Sequence, residues 1–218
     1  MKSLIVAPSV LSMNYGDTFE CLKLLNESNA TWLHFDVMDG HFVPNISFGP
    51  DVLKGIARVS DLFLDVHLMI DDPKKYSQKF IDAGANLITV HIECFDNNQD
   101  FIDFSLWLRS KGVKVGITWK PAYDMNSLLE CLDYVDLVLV MSVEPGFGGQ
   151  AFMSEAIDKI RFLVDYRRAN KLNYLIEVDG GINDKTVGFV KDAGVDVVVA
   201  GSYVFNGDVV KNIDSLLY

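Results

Sequence analysis

Eight short runs, apolar almost without interruption, constrain the fold of this chain more than any other feature. They cover residues 4–9, 32–37, 62–69, 87–92, 113–119, 135–141, 174–179 and 195–201. Rich in Val, Ile and Leu, they read as strands buried on both faces, as in a parallel sheet covered by helices. Between them, residues 17–26, 73–83, 154–170 and 185–193 place apolar side chains at three- and four-residue steps, the period of a helix with one buried side. Pro73 suits a first helical turn, and Gly84, Gly112 and Gly194 stand where left-handed caps end helices. Strands and helices alternating in this way predict an α/β fold: a single (β/α)8 barrel of the TIM type, with residues 1–218 as one domain. An open doubly wound sheet would usually carry a Gly-rich turn after its first strand, and Pro8-Ser9-Val10-Leu11-Ser12 is no such turn. No linker or low-complexity segment divides the chain.

Composition narrows the partners. The chain has 19 Lys+Arg against 30 Asp+Glu, a net charge of −11. Nucleic acid is therefore not expected, because its backbone is met by clustered positive charge. An anionic small ligand stays open, since backbone amides bind phosphate without a cationic side chain. No apolar run approaches the roughly 18 residues of a membrane span. Cys21, Cys94 and Cys131 are odd in number and far apart, which argues against a disulfide framework or a structural zinc site. Pro8 interrupts the apolar stretch after Lys2 early, and no signal-peptide cleavage site follows. These features predict a cytoplasmic protein with reduced thiols.

In a barrel, chemistry collects at the carboxyl ends of the strands. His34 and Asp36 share one strand face, two residues apart, and His67 and Asp179 come from other strands of the same rim. Two imidazoles and two carboxylates converging there make a site for one divalent transition metal, with Zn, Fe(II), Mn and Co all admissible. A lone strand histidine is more often a satisfied core residue, so the argument rests on the four together. Glu93 gives His91 a structural partner, and His41 lies in a loop without metal geometry; both are left out.

Glycine forms the second constellation. Gly146-Phe147-Gly148-Gly149, Gly180-Gly181 and Gly201-Ser202 follow the last three strands, where barrels commonly bind phosphate through backbone N–H groups. Tight turns alone would explain one such pair, but three adjacent clusters favour phosphate. Met38, Met69 and Met141 fall on the same rim; core filling is their default role, and a thioether surface around a planar intermediate is the sharper one.

Ala7-Pro8-Ser9-Val10-Leu11, the run His34–Asn45, Asp65-Val66-His67-Leu68-Met69, Glu144–Gln150 and Glu177-Val178-Asp179-Gly180-Gly181 together resemble the ribulose-phosphate 3-epimerase family over nearly the whole chain. The resemblance implies an isomerase of the pentose phosphate pathway that interconverts D-ribulose 5-phosphate and D-xylulose 5-phosphate through a metal-stabilised enediolate. It implies His34, Asp36, His67 and Asp179 as ligands of one divalent metal, and Asp36 and Asp179 as the acid–base pair. Ser9 and His67 would contact the sugar. Gly146, Phe147, Gly148, Gly149, Gly180, Gly181, Gly201 and Ser202 would line the phosphate end. A dimer or larger homo-oligomer is implied as well.

Related readings remain in view. The same family includes enzymes acting on D-allulose 6-phosphate, although the intact doublets Gly148-Gly149 and Gly180-Gly181 favour the pentulose. Trp119 and Tyr123 depart from the family pattern and are expected to crowd the substrate mouth. A related barrel group that decarboxylates sugar phosphates uses Asp-x-Lys-x-x-Asp, whereas this chain has His67 in place of the Lys. Lys120 offers a Schiff-base alternative. A non-catalytic sugar-phosphate sensor would have no need of both Asp36 and Asp179.

Overall fold

The structure is a computed structural model describing residues 4–218; residues 1–3, including the Lys2 of the N-terminal segment, lie outside the described residues. Eight parallel strands, β1 (Ile5–Pro8), β2 (Trp32–Met38), β3 (Phe63–Met69), β4 (Leu87–His91), β5 (Lys114–Trp119), β6 (Leu137–Met141), β7 (Leu175–Asp179) and β8 (Val197–Ala200), form one sheet in the order β1-β8-β7-β6-β5-β4-β3-β2. A parallel bridge between Ser9 and His34 joins β1 to β2 and closes the ring. Helices α1 (Thr18–Glu27), α2 (Pro50–Ala57), α3 (Pro73–Ala83), α4 (Asn98–Ser110), α5 (Glu155–Asn170), α6 (Val187–Ala193), α7 (Ser202–Phe205) and α8 (Val209–Leu217) follow in chain order. Asp72 caps α3 by accepting from the Lys75 N–H, with Pro73 in the first turn, and Gly84 ends it at φ 109°. Between β5 and β6 the crossover is a 3₁₀ segment, Met125–Tyr134, opened by Asp124 accepting from the Asn126 N–H.

The period of two along each strand sorts its side chains between two cores. Outward residues such as Phe35, Val66, Ile88, Ile117 and Val178 pack with the helices in the larger core. Inward residues Ala7, Trp32, Leu87, Leu137, Leu139, Val197 and Val199 fill the barrel. Trp32 and Phe63, paired in register at the starts of β2 and β3, stack with ring centroids 4.3 Å apart and help to floor it. Above this apolar floor the buried side chains change character to His34, Asp36, Asp65, His67, Thr89, His91, Thr118 and Glu177. Gly116 is required at this level, since a Cβ there would lie 2.1 Å from Thr89 Oγ1.

The same parity corrects one expectation. Trp119 does not crowd the mouth: Thr118 belongs to the barrel interior, so Trp119 points outward and packs in the outer core, 1% exposed. Lys159 of α5 lies 6.0 Å above its ring.

Candidate active site

The register of β2 and β3 interleaves acid and imidazole. His34 pairs with Asp65 and Asp36 with His67, so two layers of alternating charge face the barrel axis. His34 is held between two carboxylates, with Nδ1 2.5 Å from Asp65 Oδ2 and Nε2 3.2 Å from Asp36 Oδ1. Burial opposes a charged His34 ring, but Asp36 and Asp65 outweigh it and raise its pKa well above the usual imidazole value. Asp36 Oδ1 also lies 3.1 Å from His67 Nδ1, and its Oδ2 accepts from the Ser9 hydroxyl at 2.7 Å. Burial would raise the Asp36 carboxyl, yet the neighbouring histidines hold it well below the carboxylate range. Asp179, at the end of β7, is pushed the other way: burial, then the charge of Asp36, raises it to about 7.

Donor atoms of His34, Asp36, His67 and Asp179 all lie within 4.8 Å of one another. That spacing is close to the roughly 4 Å across one ion with bonds near 2 Å. The donor chemistry also fits, because two buried carboxylates side by side repel unless a cation lies between them. The cluster can hold a metal ion. Asp65 fixes the Nδ1 side of His34 and so orients that ring toward the cluster.

Over the cluster opens a cleft of about 450 Å³. Ser9, Asp36 and Asp179 reach it from below, and Met38, Met69 and Met141 form part of its wall. Gly146, Phe147, Gly148, Gly149, Gly180, Gly181, Gly201 and Ser202 all line its other end. No Lys or Arg is among the lining residues. An anion there can be met by backbone N–H groups, and positive φ angles at Gly146 (129°), Gly149 (74°), Gly180 (123°) and Gly181 (65°) are the conformations that let successive amides converge. Gly181 is also required by packing, as a Cβ would meet the Phe152 backbone nitrogen at 2.5 Å.

Some residues outside the predicted set lie against the site, and others stay apart from it. His91, set aside as a structural residue, has Nε2 3.0 Å from His67 Nε2. Burial pushes the His91 imidazole down to about 4. Asp65 and Glu177 were not singled out, yet each lies two residues before a site residue on the same inward face. Glu177 is raised well above the usual range by burial, then by Asp65. The neutral acid can donate to Asp65, which provides for oxygens otherwise without partners. Lys120 and Tyr123 do not line the cleft; Lys120 Nζ donates to the Phe42 carbonyl at 3.3 Å and lies 3.9 Å above the Phe42 ring. His41 is exposed and turned to its neighbour, with Nδ1 3.0 Å from the Asp39 carbonyl.

Parallel eight-stranded barrels carry catalytic groups on this rim and frequently bind phosphate in the loops beyond their last strands, so fold and site are those of a barrel enzyme with a cleft open to a small anionic ligand. The family model described as "Ribulose-phosphate 3 epimerase family" matches residues 5–205. The ribulose-phosphate 3-epimerase of Synechocystis sp. is 43% identical over 206 residues, covering 94% of this chain and 89% of the relative. Those of Treponema pallidum and Mycobacterium tuberculosis are each 42% identical over 94% of this chain, covering 93% and 87% of the relatives. The chain belongs to the ribulose-phosphate 3-epimerase family and is an isomerase. Among solved structures, 3-hexulose-6-phosphate synthase (TM-score 0.68, 17% identity, 98% of this chain and 97% of that one) shares the fold. So does 3-keto-L-gulonate-6-phosphate decarboxylase from Vibrio cholerae (TM-score 0.70, 12% identity, 99% and 96%). Among the described residues, no helix is long and apolar enough to cross a membrane.

Proposed function

We propose that this protein interconverts D-ribulose 5-phosphate and D-xylulose 5-phosphate by proton transfer at C3, with Asp36 and Asp179 as the acid–base pair and the barrel, residues 1–218, working as one catalytic unit. The observation that carries this reading is the pair of carboxylates itself. They stand three steps apart around the eight-strand ring, at the floor of one cleft, with acid strengths driven in opposite directions. Inverting C3 requires a proton taken from one face of the sugar and another delivered to the opposite face. An ionised carboxylate does the first and a protonated one the second.

His34, Asp36, His67 and Asp179 would hold one divalent ion, Zn, Fe(II), Mn or Co. Bound there, it would supply Lewis-acid stabilisation to the sugar oxygens that gain charge as the proton leaves C3. Ser9 and His67 would orient the sugar end, with the Ser9 hydroxyl already donating to Asp36. The amides of Gly146, Phe147, Gly148, Gly149, Gly180, Gly181 and Gly201, with Ser202, would hold the phosphate. The setting would be cytoplasmic and, as the family resemblance implies, the enzyme a homo-oligomer.

The phosphate end makes its own prediction. Gly149 has φ 74° and no neighbour within 4 Å of a built Cβ, so substitution strains the loop without a clash beneath it. Gly149→Val should raise KM by about tenfold or more with kcat little changed, because lost ground-state binding appears in KM. Steady-state kinetics on the pentulose phosphate would check it.

The decisive experiment is C3 exchange in D₂O, followed by NMR, on protein of known metal content. Deuterium at C3 together with formation of xylulose 5-phosphate supports the proposal. Preferential conversion of D-allulose 6-phosphate would keep the chemistry and move the substrate. Absence of exchange with either, in folded metal-loaded protein, would leave sugar-phosphate binding without turnover.

A further inference from the structure

We propose that Glu93 and His91 form a relay that decides which nitrogen of His67 is free to bind a metal, a positioning role for two residues outside the ligand set. The inference rests on reading His34, Asp36, His67 and Asp179 as a metal site.

His67 Nε2 and His91 Nε2 lie 3.0 Å apart, both rings fully buried. Two ring nitrogens at that distance need one hydrogen between them; two would collide, and none would oppose their lone pairs. The charge at the other end of the relay biases whose hydrogen it is. His91 Nδ1 faces Glu93 Oε2 at 3.6 Å, and neither atom has a hydrogen-bond partner elsewhere. Glu93 is held in place because its Oε1 accepts from the Lys120 N–H at 2.6 Å. A carboxylate only accepts, so the hydrogen of His91 is drawn to Nδ1 and its Nε2 becomes an acceptor. His67 then carries its hydrogen on Nε2. Its Nδ1, the atom 3.1 Å from Asp36 Oδ1, is left with a bare lone pair aimed into the ligand cluster. The reverse arrangement would put the hydrogen on His67 Nδ1, where it blocks a metal, and would aim bare His91 Nδ1 at a carboxylate. Asp36 by itself favours that reverse arrangement, and Glu93 is the group that opposes it. The Phe42 ring, 4.7 Å from His91, packs against the second imidazole.

Glu93→Gln tests this with almost no change of shape. The Lys120 N–H still requires an acceptor, so the amide oxygen takes that side and the NH₂ faces His91 Nδ1. His91 must now accept there and donate through Nε2, which forces the hydrogen of His67 onto Nδ1. Zn(II) affinity, measured by competition with a chromophoric chelator, should fall by about 10- to 100-fold. It should fall further than in Glu93→Ala, which imposes no direction on the relay. A packing role predicts the opposite order, since Gln is the closer isostere. Thermal melts of the metal-free proteins would establish that the variants fold. Zn(II) binding by Glu93→Gln as tight as wild type, or tighter than by Glu93→Ala, overturns the relay. Should Glu93→Gln fail to fold, His91→Leu carries the test by leaving the His67 Nε2–H without an acceptor. Lost affinity there supports the relay and unchanged affinity overturns it. Wild-type protein that binds neither Zn(II) nor Co(II) overturns the metal reading together with the relay, a result distinct from equal binding by all variants.

Discussion

Asp179→Asn should lower kcat for epimerisation by about two to four orders of magnitude, the usual contribution of a positioned acid or base, while the barrel stays folded. The substitution preserves shape at the end of β7. It leaves intact the backbone contacts there, where the Asp179 carbonyl accepts from the Ser142 N–H and hydroxyl, each at 2.8 Å. It removes the capacity to give and take a proton at a group whose pKa is raised to about 7, together with one anionic donor of the proposed metal cluster, so wild type and variant are compared at matched metal content. Affinity for inorganic phosphate or a phosphorylated polyol should change little, because that end is lined by glycine loops. A second readout separates two carboxylates from one. With Asp36 alone, the epimer whose C3 hydrogen faces it should still exchange with D₂O and return to itself, while the other epimer stays inert. Near-native epimerisation by Asp179→Asn would end the two-carboxylate mechanism.

The barrel was legible because strands buried on both faces must be apolar nearly throughout, and a closed parallel sheet is where such strands occur. Ends were less clear: the run 195–201 shortens to Val197–Ala200, since Gly201 already turns into α7. The crossover at Met125–Tyr134 winds as 3₁₀ rather than as an α-helix. At the site, His34, Asp36, His67 and Asp179 announced themselves as polar residues in apolar strands. Asp65, His91 and Glu177 have the same signature and the same inward parity, yet their partners lie on other strands. The 3.0 Å approach of His91 to His67 depends on the stagger of β3 against β4, which a single sequence does not reveal. Trp119 follows a simpler rule: period-two counting from Thr118 turns it away from the cleft. Long-range loop contacts were beyond reach as well, such as Asn45 donating from the loop after β2 to the Gly146 carbonyl at 2.7 Å.

Stripping divalent ions should have the second large effect. Prolonged chelation is expected to reduce turnover by at least about a hundredfold, since charge developing on the sugar oxygens then loses its Lewis acid. The fold should survive, because neither core depends on the cluster. The helices close over Phe35, Val66, Ile117 and Val178, and the barrel floor is held by Trp32, Leu87, Leu137 and Val197. Adding back Zn(II), Mn(II), Co(II) or, under reducing conditions, Fe(II) should restore activity to different extents and so identify the ion that serves best. His34→Ala makes the experiment specific. It takes one imidazole from the cluster and releases Asp65 from its 2.5 Å contact, so added ions should not restore turnover. Rescue of the chelated wild type by added ions, with none in His34→Ala, distinguishes a bound ion from a cluster of hydrogen-bonded side chains acting alone, which chelation would leave active. Full activity after exhaustive chelation, confirmed by elemental analysis, would show that Asp36, Asp179 and the surrounding donors suffice without a metal.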